Sequence, residues 1–195
     1  MPMRTAIIPI RSFNGMTRLD SVLDQDQRRS LSIRLAERSV DAAIDAGLET
    51  IVLTGDADVT AWASKRCAVA SDDGGGLSIA VTNAVKRHAR PDWLVLHADL
   101  PCIDGDHIRR FSETASADGV YGGGAAIAPS LDGGTNVIAG TGPFDFTYGP
   151  GSFHTNLAGM PHAKISTHRA LSLEIDTPSH FAALVVLGLV PSLTT

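Results

Sequence analysis

The chain has 195 residues, of which 44% are hydrophobic and 19% are charged, and its formal net charge is -5. This composition is typical of a soluble globular protein with a sizeable core, and it excludes disordered and fibrous classes. The acidic balance also disfavours a general nucleic-acid binder, which needs a basic face, although local arginines can still bind one nucleotide.

Cysteine content and hydropathy indicate where such a protein works. The two cysteines, Cys67 and Cys102, form neither a disulfide framework nor a metal-binding cluster, so we expect a reducing cytoplasm. We see no signal-peptide pattern and no apolar stretch long enough to cross a membrane. We therefore expect no membrane partner.

A short apolar run over residues 5–10 predicts a buried first strand, which ends near Pro9 because proline cannot donate to a sheet ladder. The loop after it carries Arg11, Gly15 and Arg18. A buried strand followed by a basic loop is a common arrangement for holding phosphates, and we expect this loop to bind a nucleoside triphosphate. The alternative is a surface turn with two solvated arginines.

The first half of the chain then alternates helices and strands. Asp24 with Gln27 predicts a capping box at the start of a helix that Gly47 can close. The pattern continues with a strand, a short helix and a short strand, a glycine loop before a helix, and an apolar central strand before a helix capped by Asp104. These elements are predicted at residues 49–54, 56–66, 67–70, 72–76, 77–89, 93–97 and 104–114, respectively. The alternation predicts a three-layer α/β/α fold around a mostly parallel sheet.

The second half is richer in glycine and more irregular. It predicts β pieces at 125–128 and 135–139, a helix at 152–157, a strand at 163–167, a strand-like segment at 171–175 and a last helix with Pro178 in its first turn. There is no repeat and no linker. We therefore expect one domain over residues 1–195, with a glycine-rich elaboration at about 119–160.

Ligands of open α/β sheets bind outside the carboxyl ends of the strands, and acidic residues follow two of the predicted strands. Asp99 follows the central apolar strand, and Asp176 follows the segment at 171–175. Two such carboxylates suit Mg²⁺ bound to a triphosphate, whereas the alternative is that each aspartate caps the next helix. Glu174 would share the face of Asp176 in a strand, and His97 is expected to be a core or rim histidine.

Three glycine-rich segments are candidate binding loops. Gly74-Gly75-Gly76 precedes a helix and can bring backbone N–H groups close to a base or phosphate, although a flexible turn is the alternative. Gly133-Gly134-Thr135-Asn136 and the segment at 148–153 place glycines beside hydroxyl donors. Ser152 begins a helix, where an anion is favoured, and a simple N-cap serine is the alternative.

Six motifs occur in a recognisable order: PIRxxxxxTRL, the glycine loop with a following Gly-Leu and alanine, ADLP, GGTN, YGPGSF and EIDTP. With these motifs the chain resembles the 2-phospho-L-lactate guanylyltransferase family of coenzyme F-420 biosynthesis, from about residue 7 to about residue 181. ADLP and a late DTP are widespread in nucleotidyltransferases. GGTN followed by an FGPGS-like segment is far more specific.

The resemblance implies a nucleotide-diphospho-sugar-transferase-like fold. It also implies transfer of GMP from GTP to phosphoenolpyruvate, 2-phospho-L-lactate or 3-phospho-D-glycerate, with release of pyrophosphate. It leaves room for a homodimer and for hand-off of an unstable product to the next enzyme. The residues that it implies are Asp99 and Asp176 for Mg²⁺, Arg11, Arg18, Asp73, Gly75 and Gly76 for the nucleotide, and Thr135, Asn136, Gly149, Gly151 and Ser152 for the acid.

The sequence departs from the family pattern mainly in the opening loop. Two lysines are usual there, and this chain has Arg11 and Met16 instead. Glu174 replaces the usual first aspartate of DIDTP, and Ser78 stands where the family has asparagine. Two alternatives therefore stay open, a nucleotidyltransferase for another small phosphorylated acceptor and a catalytically impaired nucleotide-binding paralogue.

Overall fold

The computed structural model describes residues 4–89, 91–116, 124–186 and 188. Its strands join one seven-stranded sheet in the order β3-β2-β1-β4-β6-β5-β7. The strands are β1 (Thr5–Pro9), β2 (Glu49–Thr54), β3 (Ala68–Ser71), β4 (Asp92–Leu96), β5 (Ala126–Pro129), β6 (Thr135–Thr141) and β7 (Lys164–Ile165). The helices are α1 (Gln25–Asp45), α2 (Ala57–Ala63), α3 (Leu77–His88), α4 (Gly105–Ser116), α5 (Ser152–Gly159), α6 (Arg169–Ser172) and α7 (Pro178–Val186), and one 3-10 turn covers Thr17–Leu19.

The sheet is mostly parallel, as predicted. β1 pairs in parallel with β2 and β4, and β2 pairs in parallel with β3. β6 is antiparallel to both β4 and β5. The five residues between β5 and β6 are too few for a crossover, which needs a dozen or more, so the chain must turn back on itself.

The reversal of β6 has a direct consequence for the site. Because β6 runs against β4, its first residues lie at the edge where the parallel strands end. His97 N donates to Asn136 O at 3.0 Å, which joins the end of β4 to the start of β6. Strand order also changes direction at β1 and β4, and ligands of open α/β sheets bind at such a switch point.

Two layers of helices cover the sheet, which confirms the predicted α/β/α layering. Neighbouring residues of β1 point to opposite faces: Ile8 packs in a cluster with residues of α1, α2 and α4, whereas Ile7 packs with Trp93 and residues of α3. None of the helices in the described ranges is long and apolar enough to cross a membrane.

A third cluster ties the opening loop to the C-terminal part of the chain. It is buried and purely aliphatic, and its members come from the 3-10 turn and the loop after it, α1, the segment before Asp176, and α7. They are Leu19, Leu23, Leu31, Leu35, Ile175 and Leu184. This packing brings Arg18 and Asp176 to the same place.

Several local predictions are confirmed. Gln27 N donates to Asp24 Oδ1 at 2.8 Å and Asp24 N donates to Gln27 Oε1 at 3.0 Å, which completes the capping box of α1. His107 N donates to Asp104 Oδ1 at 2.9 Å at the start of α4. α7 begins at Pro178.

Two predictions in the second half need correction. The strand predicted at 163–167 is only Lys164–Ile165, and the strand-like segment predicted at 171–175 begins inside α6 and continues as irregular chain. β4 already pairs with β1 and β6, so the segment at 171–175 cannot pair with it. Ile175 N of this segment instead donates to Asp99 O at 3.0 Å, beyond the end of β4. Residues 117–123, which include the start of the predicted glycine-rich elaboration, lie outside the described residues.

Candidate active site

Two cavities open at the carboxyl ends of the parallel strands. The larger, of about 580 Å³, lies between the opening loop, the glycine loop and the end of β4. The smaller, of about 250 Å³, lies between the start of β6, the segment before α5 and the segment before α7. We call them the larger and the smaller cavity below.

Three residues line both cavities, namely His97, Asp99 and Asp176. Asp99 follows β4, and Asp176 precedes α7. The hydrogen bond from Ile175 N to Asp99 O holds the two segments side by side. The two aspartates singled out from the sequence therefore meet where the cavities join.

Neither aspartate caps the helix after it. Asp104 caps α4, and Thr177 Oγ1 accepts a hydrogen bond from His180 N at 3.2 Å in the first turn of α7. Asp99 Oδ1 is buried and has no hydrogen-bond partner in the described part of the chain. A buried carboxylate oxygen without a partner is costly, and a cation is the simplest ligand that would satisfy it.

The pKa shifts around Asp99 also indicate that these carboxyl groups require a positive charge nearby. Burial raises the pKa of Asp99, with nearby Asp176 and Asp132 adding to the effect and His97 opposing it. Burial, together with Asp99, Asp132 and Asp176, raises the pKa of Glu174 to about 8. Clustered buried carboxyl groups resist losing their protons unless a positive charge joins them.

A divalent cation fits this donor set. Mg²⁺ takes one or two protein carboxylates and keeps its other positions for phosphate oxygens and water, which matches Asp99 and Asp176 at an open junction. Among the residues described, no three His, Cys, Asp or Glu side chains are grouped as a complete protein metal cage. Two carboxylates at an open junction suit a site that phosphate oxygens of a substrate would complete.

The two arginines of the opening loop face different cavities. Arg11 lines the larger cavity, whereas Arg18 lines the smaller one and forms an ion pair with Asp176. The chain turns between them because Met16 has a φ of 57° and Leu19 is buried in the third cluster. The structure therefore places the two arginines in different, adjoining cavities.

The glycine loop contributes a different set of residues from the predicted one. Gly74 and Gly76 line the larger cavity together with Asp72, whose Oδ1 accepts from Gly74 N at 2.9 Å. Gly75 is not among the lining residues, and Asp73 forms an ion pair with Arg87 of α3. Asp72, the first residue after β3, belongs to the predicted loop, but Asp73 was named as its binding residue instead.

Most of the predicted acceptor residues line the smaller cavity: Thr135, Asn136, Gly149 and Ser152. Gly151 does not line it, but its φ of 75° forms the left-handed N-cap of α5 that presents Ser152. Ser152 Oγ and Thr135 Oγ1 are 3.3 Å apart. These predicted residues therefore share one cavity, and their binding of the acid stays a prediction.

A family comparison decides what kind of protein this site belongs to. The sequence pattern of the family described as "Guanylyl transferase CofC like" matches residues 3–189. This chain belongs to that family.

The CofC-like chain is similar in sequence to two named relatives and in fold to one solved structure. The 2-phospho-L-lactate guanylyltransferase of Methanoregula boonei is 28% identical over 173 residues, covering 87% of this chain and 72% of the relative. The phosphoenolpyruvate guanylyltransferase of Rubrobacter xylanophilus is 26% identical over 196 residues, covering 94% of each chain. A Desulfovibrio desulfuricans protein described as a nucleotide-diphospho-sugar transferase aligns with a TM-score of 0.74 at 16% identity, covering 96% of this chain and 88% of that one, which confirms the fold predicted from the sequence.

The CofC-like site also contains residues that were not named individually from the sequence. Asp132 and Tyr148 line the smaller cavity beside His97, which was expected to be a core or rim histidine. The rings of His97 and Tyr148 lie 5.0 Å apart, and burial lowers the pKa of His97 and raises that of Tyr148. The signal for Tyr148 was its place in the YGPGSF motif. Asp132 gave no signal beyond its neighbouring glycines.

Helix α3 links the two cavities of the CofC-like chain. Its N-terminus follows the glycine loop, while two of its hydroxyls hold the segment that leads to the smaller cavity. Tyr148 N donates to Ser78 Oγ and Phe146 N donates to Thr82 Oγ1, both at 3.0 Å. Ser78 and Thr82 are four residues apart and therefore lie on one face of the helix.

Proposed function

We propose that this chain transfers GMP from GTP to a phosphorylated three-carbon acid and releases pyrophosphate, as a step of coenzyme F-420 biosynthesis. The observation that carries the proposal is the meeting of a larger and a smaller cavity at one pair of carboxylates, Asp99 and Asp176. Membership of the guanylyltransferase family and the names of the two relatives support the choice of GTP and of a phosphoacid.

The sizes and linings of the cavities support the nucleotide in the larger cavity and the acid in the smaller one. The larger cavity has the backbone of the glycine loop and Arg11, which suit a nucleotide and its phosphates. The smaller cavity has the hydroxyls of Thr135 and Ser152 and the guanidinium of Arg18, which suit the phosphate and carboxylate of a small acid.

In the proposed reaction, a phosphate oxygen of the acid attacks the α-phosphorus of GTP. The bond from that phosphorus to the oxygen bridging to the β-phosphate breaks, and its electron pair leaves with pyrophosphate. The attacking oxygen is already anionic at neutral pH, so the site needs no general base. Its work is positioning and charge neutralisation, which agrees with an arginine in each cavity and with carboxylates at the junction that can hold a cation.

Asp99 and Asp176 would hold a divalent cation at this junction. When bound, Mg²⁺ would neutralise charge that gathers on the α-phosphate and the leaving pyrophosphate. Arg11 would neutralise further charge from the nucleotide side, and Arg18 from the acid side.

A second candidate function rests on one residue. Met16 lines the larger cavity where a cationic side chain would face the triphosphate, and its thioether supplies no charge. This favours, as the alternative, a paralogue that binds nucleotide without turning it over.

One assay separates the two functions. Purified protein is incubated with Mg²⁺ and GTP, alone and with phosphoenolpyruvate, 2-phospho-L-lactate or 3-phospho-D-glycerate, and pyrophosphate is measured. The proposal expects acid-dependent release with at least one acid. Nucleotide binding without release under any of the three acids contradicts it and supports the second candidate.

A further inference from the structure

Asn156 lies behind the smaller cavity, and no motif of the sequence pointed to it. It is on α5, four residues after Ser152 and on the same helix face, and only 1% of its surface is exposed. It does not line either cavity. Any effect that it has on a substrate must therefore pass through its neighbours.

The hydrogen bonds of Asn156 fix the orientation of its side-chain amide. Nδ2 donates to Thr147 O at 2.8 Å, and Oδ1 accepts from Thr147 N at 2.9 Å. A flipped amide would set donor against donor and acceptor against acceptor at the same two atoms. The remaining N–H of Nδ2 must therefore point to its third partner, Thr135 Oγ1, at 3.1 Å.

This donation limits what the two hydroxyls of the cavity can do. An amide N–H can only donate, so it occupies one lone pair of Thr135 Oγ1 and takes up neither hydroxyl proton, whereas an acceptor at the same place would bind one of them. Thr135 and Ser152 together carry two hydroxyl protons, and their mutual contact at 3.3 Å uses one of them. The other proton is left for a ligand in the cavity that both residues line.

We infer that Asn156 is a positioning residue that makes the Thr135–Ser152 hydroxyl pair a net donor to the anionic acceptor. The inference rests on the proposed function, because it needs a phosphate or carboxylate in the smaller cavity. Through Thr147, the same amide also holds the start of the loop that contains Gly149, so one side chain sets both a donor and a wall of the cavity.

The test is a double-mutant cycle with Asn156→Asp and Thr135→Val, using whichever of the three acids gives pyrophosphate release with the wild type. Asn156→Asp keeps the size but replaces the donor by an acceptor that takes the hydroxyl proton. We expect the KM for the acid to rise about ten-fold or more, and the KM for GTP to stay within about two-fold. In the Thr135→Val background the same change should add clearly less, because only the contact with Thr147 is then left to lose.

Asn83→Asp is the matched control, since Asn83 lies on α3 outside both cavities and should leave both KM values unchanged. An unchanged acid KM in Asn156→Asp, an equal rise for both substrates, or additive effects in the double mutant would overturn the inference. If Asn156→Asp does not fold, Asn156→Ser replaces it, since one hydroxyl cannot donate to both Thr135 Oγ1 and Thr147 O: an unchanged acid KM overturns the inference, and a rise confined to the acid KM supports it. If the wild type releases no pyrophosphate with any acid, the proposed function is contradicted as well. If the wild type releases pyrophosphate and Asn156→Asp leaves the KM for the acid unchanged, only the role of Asn156 is contradicted.

Discussion

Asp99 is the residue on which the account depends most. It is one of two carboxylates at the junction of the cavities, and its Oδ1 is buried without a hydrogen-bond partner among the residues described. Its position directly after an apolar strand was enough to single it out, because parallel strands deliver their last residues to one edge of a sheet.

Replacing Asp99 by Asn should lower pyrophosphate release by about 100-fold or more, since a neutral amide can no longer hold a cation against developing phosphate charge. The melting temperature should not fall, because the substitution removes a buried carboxyl group whose pKa is raised by burial. Asp104→Asn is the control, since asparagine also caps helices well. Unchanged release by Asp99→Asn would exclude the metal role.

Met16 shows why the opening loop was the hardest part to predict. Its left-handed backbone, with a φ of 57°, turns Arg18 away from the larger cavity and toward the smaller one. The sequence of the loop alone predicts neither this rare conformation nor the packing of Leu19 against residues far along the chain, such as Ile175 and Leu184. The types of residue were predictable there, but their directions were not.

Met16→Lys should lower the KM for GTP several-fold, by roughly three- to ten-fold, because an ammonium group would join Arg11 at the larger cavity. Met16→Gln, of similar length and uncharged, should leave the KM near the wild-type value. Steady-state kinetics at saturating acid measures both variants. Equal KM values for the Lys and Gln variants would show that this side chain does not face the phosphates.

Among the elements, α3 is the helix that connects the two halves of the site. It follows the glycine loop of the larger cavity, and its hydroxyls Ser78 and Thr82 accept hydrogen bonds from the segment that leads to the smaller cavity. The helix was predicted from its periodicity, but these contacts span 64 and 70 residues of sequence. Such pairings depend on the final packing and leave no local signal.

Ser78→Ala should destabilise the protein by about 1–3 kcal/mol, because the partly buried Tyr148 N–H loses its acceptor. It should also raise the KM for the acid, since Tyr148 lines the smaller cavity. Urea unfolding measures the first effect, with Ser30→Ala on the exposed side of α1 as a control for the better helix propensity of alanine. A Ser78 variant as stable as this control would show that the hydroxyl does not hold the loop.

At the scale of the whole molecule, the alternation of helices and strands was enough to predict the layers and the parallel half of the sheet. It was not enough for the second half. The segment at 171–175 has strand-like composition, yet β4, the strand whose end it contacts, already has a neighbour on each side. The antiparallel β6 follows from a connection of five residues, and it is this reversal that places Thr135 beside Asp99 at the smaller cavity.

In the proposed reaction an acid in the smaller cavity attacks GTP in the larger one. Two radioactive labels, at the α- and the γ-phosphorus of GTP, are followed in the presence of Mg²⁺ and the acid that supports turnover. We expect the α label in a GMP–acid product and the γ label in pyrophosphate, in equal amounts. Release of the γ label as inorganic phosphate, or of the α label as free GMP, with no label in the acid, would contradict it.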